Sequence, residues 1–211
     1  MDPENGDALW YYNVTDDNGN VTGRETTNNY TVASVSSNRI ATDDMMPTVY
    51  GGFGTTLTAY GFDLSVQASY QLGGQIYDSG YASLMHGGNN SDAGRNWHKD
   101  IHNAWTTPGQ ITDVPRLNSL SNNGKYVNYT STRFLTSSDY LSLNNVTVGY
   151  TLPKSIVNKL GLTKLRVYFS GDNLALLSAR KGLDPRQSYT SASVAIYTAI
   201  RSLSGGVSVA F

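Results

Sequence analysis

The chain has 211 residues, of which 15% are charged, and its formal net charge is −1. Typical globular domains have about 25% charged residues, so the composition is unusual for a soluble enzyme, and the near-neutral charge provides no general attraction to nucleic acid. The absence of Cys excludes disulfide scaffolds, thiolate zinc sites and cysteine nucleophiles. The sequence contains no run of about 18 apolar residues, so it predicts no transmembrane helix. The strands of a transmembrane barrel need only about ten residues each, so the pattern is compatible with a barrel.

Residues 2–46 are rich in Asn, Asp, Gly and Thr. We predict a short strand near residues 9–14, followed by a long exposed loop over about 14–46. Within this loop, the sequence Asp16-Asp17-Asn18-Gly19-Asn20 is typical of a turn.

Residues 49–59 and 62–72 have the clearest strand pattern in the chain. Apolar residues occupy odd positions in the first segment and even positions in the second, as expected for side chains that alternate between two faces. The change of parity at Ala59-Tyr60-Gly61 predicts a tight hairpin. The polar positions are mostly Ser, Thr and Gln, which favours the wet lumen of a barrel over the more charged outer face of a soluble sandwich.

Residues 73–130 are predicted to form a second long loop, with one short helix around Trp97 to Trp105. Structureless segments of this length are usually functional. Aromatic rings can stack on a sugar or contact a peptide side chain, so the candidates for contacts with a ligand or a partner are Tyr77, Tyr81, Trp97 and Trp105. Packing of the loop against its neighbours explains these aromatic residues equally well.

The sequence provides no catalytic, cofactor or metal site that we can nominate. His98 and His102 have the i, i+4 spacing of a helical metal site, but the pattern lacks a third ligand and the Glu that follows the first His in zinc proteases. We therefore predict a protein that is not an enzyme and has no cofactor.

Residues 133–153 are predicted to form one long strand that ends at Pro153. The apolar positions are odd up to Leu143 and even from Val146 onward. One extra residue at Asn144 or Asn145 would produce this change of phase, so a β-bulge is predicted there.

The remaining elements follow in order along the chain. A one- or two-turn helix is predicted over residues 153–161, with Gly161 just after its end. A strand near residues 165–172, a third loop over 178–193 and a final alternating strand over 201–211 complete the predicted order. In total, the patterns predict five or six long strands.

Several short motifs stand out along these elements. They are Tyr50-Gly51-Gly52-Phe53, Gly61-Phe62-Asp63-Leu64-Ser65, Leu143-Asn144-Asn145-Val146-Thr147, Gly149-Tyr150-Thr151-Leu152-Pro153, Gly171-Asp172-Asn173-Leu174 and Gly182-Leu183-Asp184-Pro185. In this order they resemble the C-terminal barrel of SusC/RagA-type TonB-dependent outer-membrane transporters, and the resemblance covers about residues 2–211.

The resemblance implies an all-β fold of antiparallel, up-and-down transmembrane strands with long extracellular loops, as the C-terminal part of a larger plugged barrel. Such a barrel imports oligosaccharides, other glycans or peptides across the outer membrane of a Gram-negative, Bacteroidetes-like cell. The implied partners are a SusD-like surface lipoprotein, the rest of the barrel and its plug, the TonB system and outer-membrane lipid.

Length bears directly on this expectation. A transporter barrel of about 22 strands, at about ten residues per strand, needs about 220 residues in strands alone. We therefore expect residues 1–211 to be a C-terminal segment without the plug domain, which is not transport-competent alone. The alternative is a soluble all-β sandwich that acts as a binding or adhesion module.

Overall fold

The computed structural model describes residues 1–42, 44–88, 92, 94–118, 122–187, 192–193 and 198–211. The chain divides into two compact units, the first formed by Met1–Thr42 and Asp78–Leu135 and the second by Asp43–Tyr77 and Thr136–Phe211. None of the helices in the described ranges is long and apolar enough to cross a membrane.

The first unit contains an antiparallel hairpin of β1 (Trp10–Thr15) and β2 (Val21–Thr27). The loop predicted over residues 14–46 is therefore wrong where β2 lies. The reversal occurs in the predicted turn, where the Asp16 carboxylate accepts hydrogen bonds from the backbone N–H groups of Asn18 and Asn20. Tyr12 also donates its hydroxyl to Glu25 across the hairpin at 2.9 Å.

The described part of the first unit also contains several short helices. They are α1 (Tyr30–Ala33), α2 (Ser79–Leu84), α3 (Asn122–Tyr126) and three 3₁₀ helices, Ser36–Asn38, Lys99–Asn103 and Thr132–Phe134. The loop predicted over 73–130 thus contains regular structure, and the helix expected around Trp97 to Trp105 is the 3₁₀ turn Lys99–Asn103. The fully buried side chains of this unit include Phe134, Met85 and His86.

The second unit is built on a five-stranded antiparallel sheet. Its members are β3 (Val49–Ala59), β4 (Phe62–Leu72), β7 (Tyr140–Thr151), β8 (Lys164–Ser178) and β10 (Ser202–Ala210), in the order β10-β8-β7-β4-β3. The short strands β5 (Gln75–Asp78), β6 (Leu135–Ser137) and β9 (Ala192–Ser193) form a three-stranded sheet in the order β6-β5-β9. The all-β, antiparallel class is confirmed, and the described residues form ten strands where five or six were expected.

The predicted hairpin between β3 and β4 is confirmed. Ala59 pairs with Phe62, and the two residues between them both have positive φ, 53° at Tyr60 and 87° at Gly61. This is the conformation of a type I′ turn, whose twist matches that of the flanking strands. Glycine is required at the second position because a Cβ there would lie 2.8 Å from the carbonyl oxygen of Thr151.

The predicted bulge in β7 is also confirmed. The pairing of β7 with β4 passes from Leu143 opposite Ala68 directly to Asn145 opposite Gln67, so Asn144 is the extra residue. Its side-chain amide donates a hydrogen bond to the Ser69 hydroxyl at 3.0 Å. The bulge returns the apolar residues on both sides of it to one face of the sheet.

The prediction of one strand over 133–153 is wrong at its beginning. Residues 132–134 form a 3₁₀ turn, β6 ends at Ser137, and β7 begins at Tyr140. The interruption is stabilised by contacts with Gly73, whose N–H donates to the Asp139 carboxylate at 2.6 Å and whose carbonyl accepts from the Ser138 hydroxyl at 3.0 Å.

After β7, the predicted helix is present as α4 (Lys154–Val157), continued by the 3₁₀ turn Asn158–Leu160. Gly161 ends it in the left-handed conformation, with φ of 72°. After β8, the predicted loop over 178–193 includes the 3₁₀ turn Pro185–Gln187 and the strand β9, and residues 188–191 lie outside the described residues.

Candidate functional site

The five-stranded sheet has one apolar face that runs across every strand. Val148 of β7, for example, lies opposite Leu64 of β4 and Phe169 of β8. Val207 of β10 continues the face opposite Val167 of β8. We call this side of the sheet the apolar face; its solvent-exposed large apolar members are Val49, Phe53, Leu57, Phe62, Leu72, Leu141, Val148, Val167, Phe169, Leu177, Leu203, Val207 and Val209.

The exposure of this face is too extensive for an ordinary protein surface in water. The exposed fraction is 60% at Phe53 on β3 and 62% at Leu203 on β10, on opposite edges of the sheet. Soluble monomers rarely expose contiguous apolar patches larger than a few hundred Å², and larger patches mark contact with a membrane or another protein. The arrangement therefore requires an apolar environment on this side.

The opposite face of the sheet, the polar face, carries a network of mostly neutral side chains with one carboxylate, that of Asp172. Asn145 donates to the Asp172 carboxylate at 2.7 Å and to the Ser170 hydroxyl at 3.0 Å. The hydroxyls of Thr147 and Ser170 are 2.7 Å apart. Because these groups hydrogen-bond to one another along the sheet, the face is polar without a high density of charge.

One ion pair on the polar face spans three strands. Arg166 of β8 donates through Nε to Asp63 of β4 at 3.0 Å, and the intervening β7 contributes Gly149, which pairs with Asp63. A Cβ on Gly149 would lie 2.6 Å from both carboxylate oxygens of Asp63. The absence of a side chain at Gly149 is therefore what lets the two charged groups meet.

Two of the predicted aromatic residues, Tyr81 and Trp97, pack with histidines in the first unit. The Tyr81 hydroxyl donates to Asp100 at 3.1 Å, and its ring meets the His98 ring edge-on at 4.9 Å. Trp97 stacks on the buried His86 at 5.1 Å and donates its indole N–H to the backbone carbonyl of His86 at 2.9 Å. Trp97 is still 47% exposed, so one side of its ring is accessible.

Trp105 and Tyr77 lie elsewhere. The Trp105 ring covers Gly6, where a Cβ would be 2.7 Å from its Cγ atom, and its backbone N–H donates to Val114. Tyr77 is a half-buried residue of β5 in the second unit. The structure thus gives packing contacts for three of the four aromatic candidates, and their role in binding a ligand stays a prediction.

A further aromatic cluster in the first unit was missed by the sequence patterns. Tyr30 stacks on Tyr126 at 4.7 Å, and Trp10 and Tyr129 each meet the Tyr30 ring edge-on at 5.4 Å. The abundance of Tyr was the only signal, because no spacing relates residues that are this distant in sequence.

No metal site emerges from the geometry of the described ranges. The Asp100 carboxylate lies 3.3 Å from His98 Nδ1 within one 3₁₀ turn. Among the residues that the structure describes, no group of three or more His, Cys, Asp or Glu side chains is placed to hold a metal ion.

Comparison with known proteins identifies relatives of one kind. No family model matches the chain. It is 32% identical over 146 residues to TonB-dependent receptor P3 of Formosa agariphila, a match that covers 69% of this chain and 13% of that protein. It is also 32% identical over 139 residues to TonB-dependent receptor P39 of the same organism, covering 64% of this chain and 13% of that protein.

Solved structures agree with this result over the whole chain. The RagAB peptide importer in the 'closed-closed' state matches with a TM-score of 0.74 and 26% identity, covering 100% of this chain and 22% of that one. A structure of the RagAB peptide transporter matches with a TM-score of 0.75 and 25% identity, covering 100% and 21%. The chain therefore spans about an eighth of its curated relatives and about a fifth of these solved chains.

The two-faced antiparallel sheet and these sequence and structural similarities define the class of protein: the chain is part of a TonB-dependent receptor. Within that class it belongs to the SusC/RagA type, as the motifs of the sheet strands predicted.

Proposed function

We propose that the chain is part of the wall of an outer-membrane nutrient importer. The observation that carries this proposal is the apolar face, which lines up across five strands and is exposed on all of them. In a membrane barrel, such a face lies against lipid while the alternating positions face a polar interior. The hydrogen-bonded polar face suits that interior.

Within this proposal, residues 1–211 are the C-terminal segment of the barrel in the outer membrane of a Bacteroidetes-like cell. The chain joining β4 to β7, about residues 73–139, and the chain after β8 leave the same end of the sheet, because Gln71 pairs with Tyr140 and Tyr140 with Ser178. We assign this end to the outside of the cell. The resemblance and the length of the relatives support a plug domain elsewhere in the full protein.

The proposed cargo is a peptide or an oligosaccharide. The likeness to solved structures of a peptide importer supports the peptide, and the family resemblance supports both. A SusD-like surface lipoprotein and the TonB system are the proposed partners. We assign the chain no catalytic role, since its relatives are named as receptors and importers.

The test places an arginine on each face of one strand in the full-length receptor. Val66 of β4 lies on the apolar face between Thr55 and Val146. Replacing it by Arg near the membrane midplane costs about 2–4 kcal/mol if the face contacts lipid. We expect Val66→Arg to reduce the folded receptor in the outer membrane, measured by its heat-modifiable mobility in a gel.

The matched control is Gln67→Arg, one residue along the same strand. Gln67 is exposed and points to the polar face, so its replacement should change stability by no more than about 0.5 kcal/mol. Equal effects of the two substitutions would contradict the lipid assignment. A full-length receptor that stays folded and monomeric without detergent would favour a soluble binding module instead.

A further inference from the structure

The second unit has a cleft at the end of β8 that the proposed function leaves unused. It has a volume of about 490 Å³, within the range of about 300–1,000 Å³ that is typical of ligand sites. Its walls combine apolar and cationic groups, and its lining includes Leu176, Leu183, Arg180, Lys181, Asp184 and Arg186.

The charge of the cleft is positive. Three cationic side chains and one carboxylate line it, which leaves a formal charge of +2. The carboxylate is already neutralised, because Arg186 donates to both oxygens of Asp184, at 2.8 Å and 2.7 Å. Lys181 is exposed, and no hydrogen bond or ion pair of its ammonium group is found with the residues that the structure describes.

The loop that forms the cleft is held in place before any ligand arrives. The Ser178 hydroxyl lies 2.9 Å from the carbonyl oxygen of Arg180 and 2.7 Å from that of Leu183. Arg186 also donates to the fully buried Ser142 of β7 at 2.7 Å, which ties the loop to the sheet. A site that is already ordered loses less conformational entropy when it binds a ligand.

The cleft follows a strand edge. The pairing of β10 with β8 ends at Asp172, and β8 continues to Ser178 with β7 as its neighbour among the described strands. Arg201 donates to the Leu174 carbonyl at 2.7 Å, and no strand pairing of Ala175 to Ser178 on this side is found within the described residues, where these residues line the cleft. Extended peptides bind to such edges through their regularly spaced backbone N–H and C=O groups, a pattern that sugars do not provide.

From these observations we infer that the cleft between the end of β8 and residues 180–186 binds an extended peptide through an acidic side chain. Lys181 provides the free positive charge, and the apolar walls accommodate a neighbouring side chain. This inference rests on the proposed function, because it assigns a class of cargo to one site of the importer.

The experiment is calorimetric titration of the full-length receptor, purified in detergent from the cells that produce it. The probes are a short capped synthetic peptide with two Glu residues and the same peptide with Gln in their place. We expect the Glu peptide to bind more tightly than the Gln peptide, and Lys181→Glu to weaken binding of the Glu peptide by about fivefold, since an exposed ion pair contributes up to about 1 kcal/mol. High salt should remove the preference for the Glu peptide over the Gln peptide, because it screens exposed charges.

The matched control is Lys159→Glu, which makes the same change of charge in the exposed turn between β7 and β8, at the opposite end of β8. It should leave binding of the Glu peptide unchanged, and both variants should show the heat-modifiable mobility of the wild type. Equal binding of the Glu and Gln peptides, or equal weakening by the two substitutions, would overturn the inference. Tighter, Lys181-dependent binding of an oligogalacturonate of matched charge would overturn the assignment to a peptide.

Uptake by cells that carry the receptor is measured separately. Uptake that persists while the preference for the Glu peptide is absent would refute peptide binding by the cleft and would still be consistent with the importer function. Lys181-dependent binding without residence in the outer membrane would support the cleft and overturn the importer.

Discussion

Deletion of Asn144 is the sharpest perturbation that the sheet offers. Leu143 and Asn145 of β7 pair with consecutive residues of β4, and Asn144, which lies between them, has no partner there. Removing it restores one-to-one pairing, so residues 140–143 rotate to the opposite face, because side chains alternate along a strand. Leu141 and Leu143 then leave the apolar face, and the fully buried Ser142 enters it.

The magnitude follows from the two leucines. Moving each from an apolar to a wet environment costs about 1.5–3 kcal/mol, so the deletion should destabilise the barrel by about 3–6 kcal/mol. Replacing the same residue by Ala keeps the length of the strand and removes only the hydrogen bonds to Ser69, which contribute about 0.5–1.5 kcal/mol.

The assay is urea unfolding of the full-length receptor in lipid vesicles, followed by tryptophan fluorescence. We expect the deletion to lower the free energy of unfolding at least twice as much as Asn144→Ala. Equal losses for the two variants would refute the reasoning, since they would show that the bulge does not set which face the apolar residues occupy.

Further predictions concern single positions. Gly149→Ala should lower the temperature at which the folded mobility is lost, because the new methyl group displaces Asp63 from its ion pair, whereas Gly205→Ala, with no contact closer than 3.8 Å, should not. Gly61→Ala places a side chain at a φ of 87° and should cost about 1–2 kcal/mol in the same urea titration; no change would contradict the type I′ turn. Burial raises the pKa of the Asp184 carboxyl, but the hydrogen bonds from Arg186 lower it by more, so the pKa lies below its usual range. Its stabilising contribution is therefore complete above the pKa of an unfolded Asp, about 3.9, and is lost as the pH falls through the lower folded value. Protease cleavage of this loop should rise over that acidic range in the wild type, whereas Asp184→Asn should be cleaved readily even at neutral pH.

Features that depend on alternation could be predicted from the sequence. The phase change near Asn144 and the parity change at Tyr60 each mark a physical event, a bulge and a turn, because a strand presents its side chains with a period of two. The end of the helix at Gly161 could be predicted for a similar local reason, since a left-handed backbone conformation favours Gly.

Features that depend on contacts between residues distant in sequence could not be predicted. The break between β6 and β7 exists because Ser138 and Asp139 bond to Gly73, more than 60 residues earlier, and nothing in the local pattern indicates that contact. β2 was missed because its central residues, Gly23, Arg24 and Glu25, have no apolar alternation. Its pairing with β1 is set by the turn and by hydrogen bonds across the hairpin.

The division of the sheet into two faces also constrains what must surround it. β3 and β10 each have one strand neighbour within the described residues, and in hydrocarbon each unpaired backbone group costs several kcal/mol. If the apolar face contacts lipid, as we propose, further strands must pair with both edges, and the barrel closes only with them. The ion pair across Gly149 and the Asn145 network then lie on the inner side, where they need neither lipid nor free water to be satisfied.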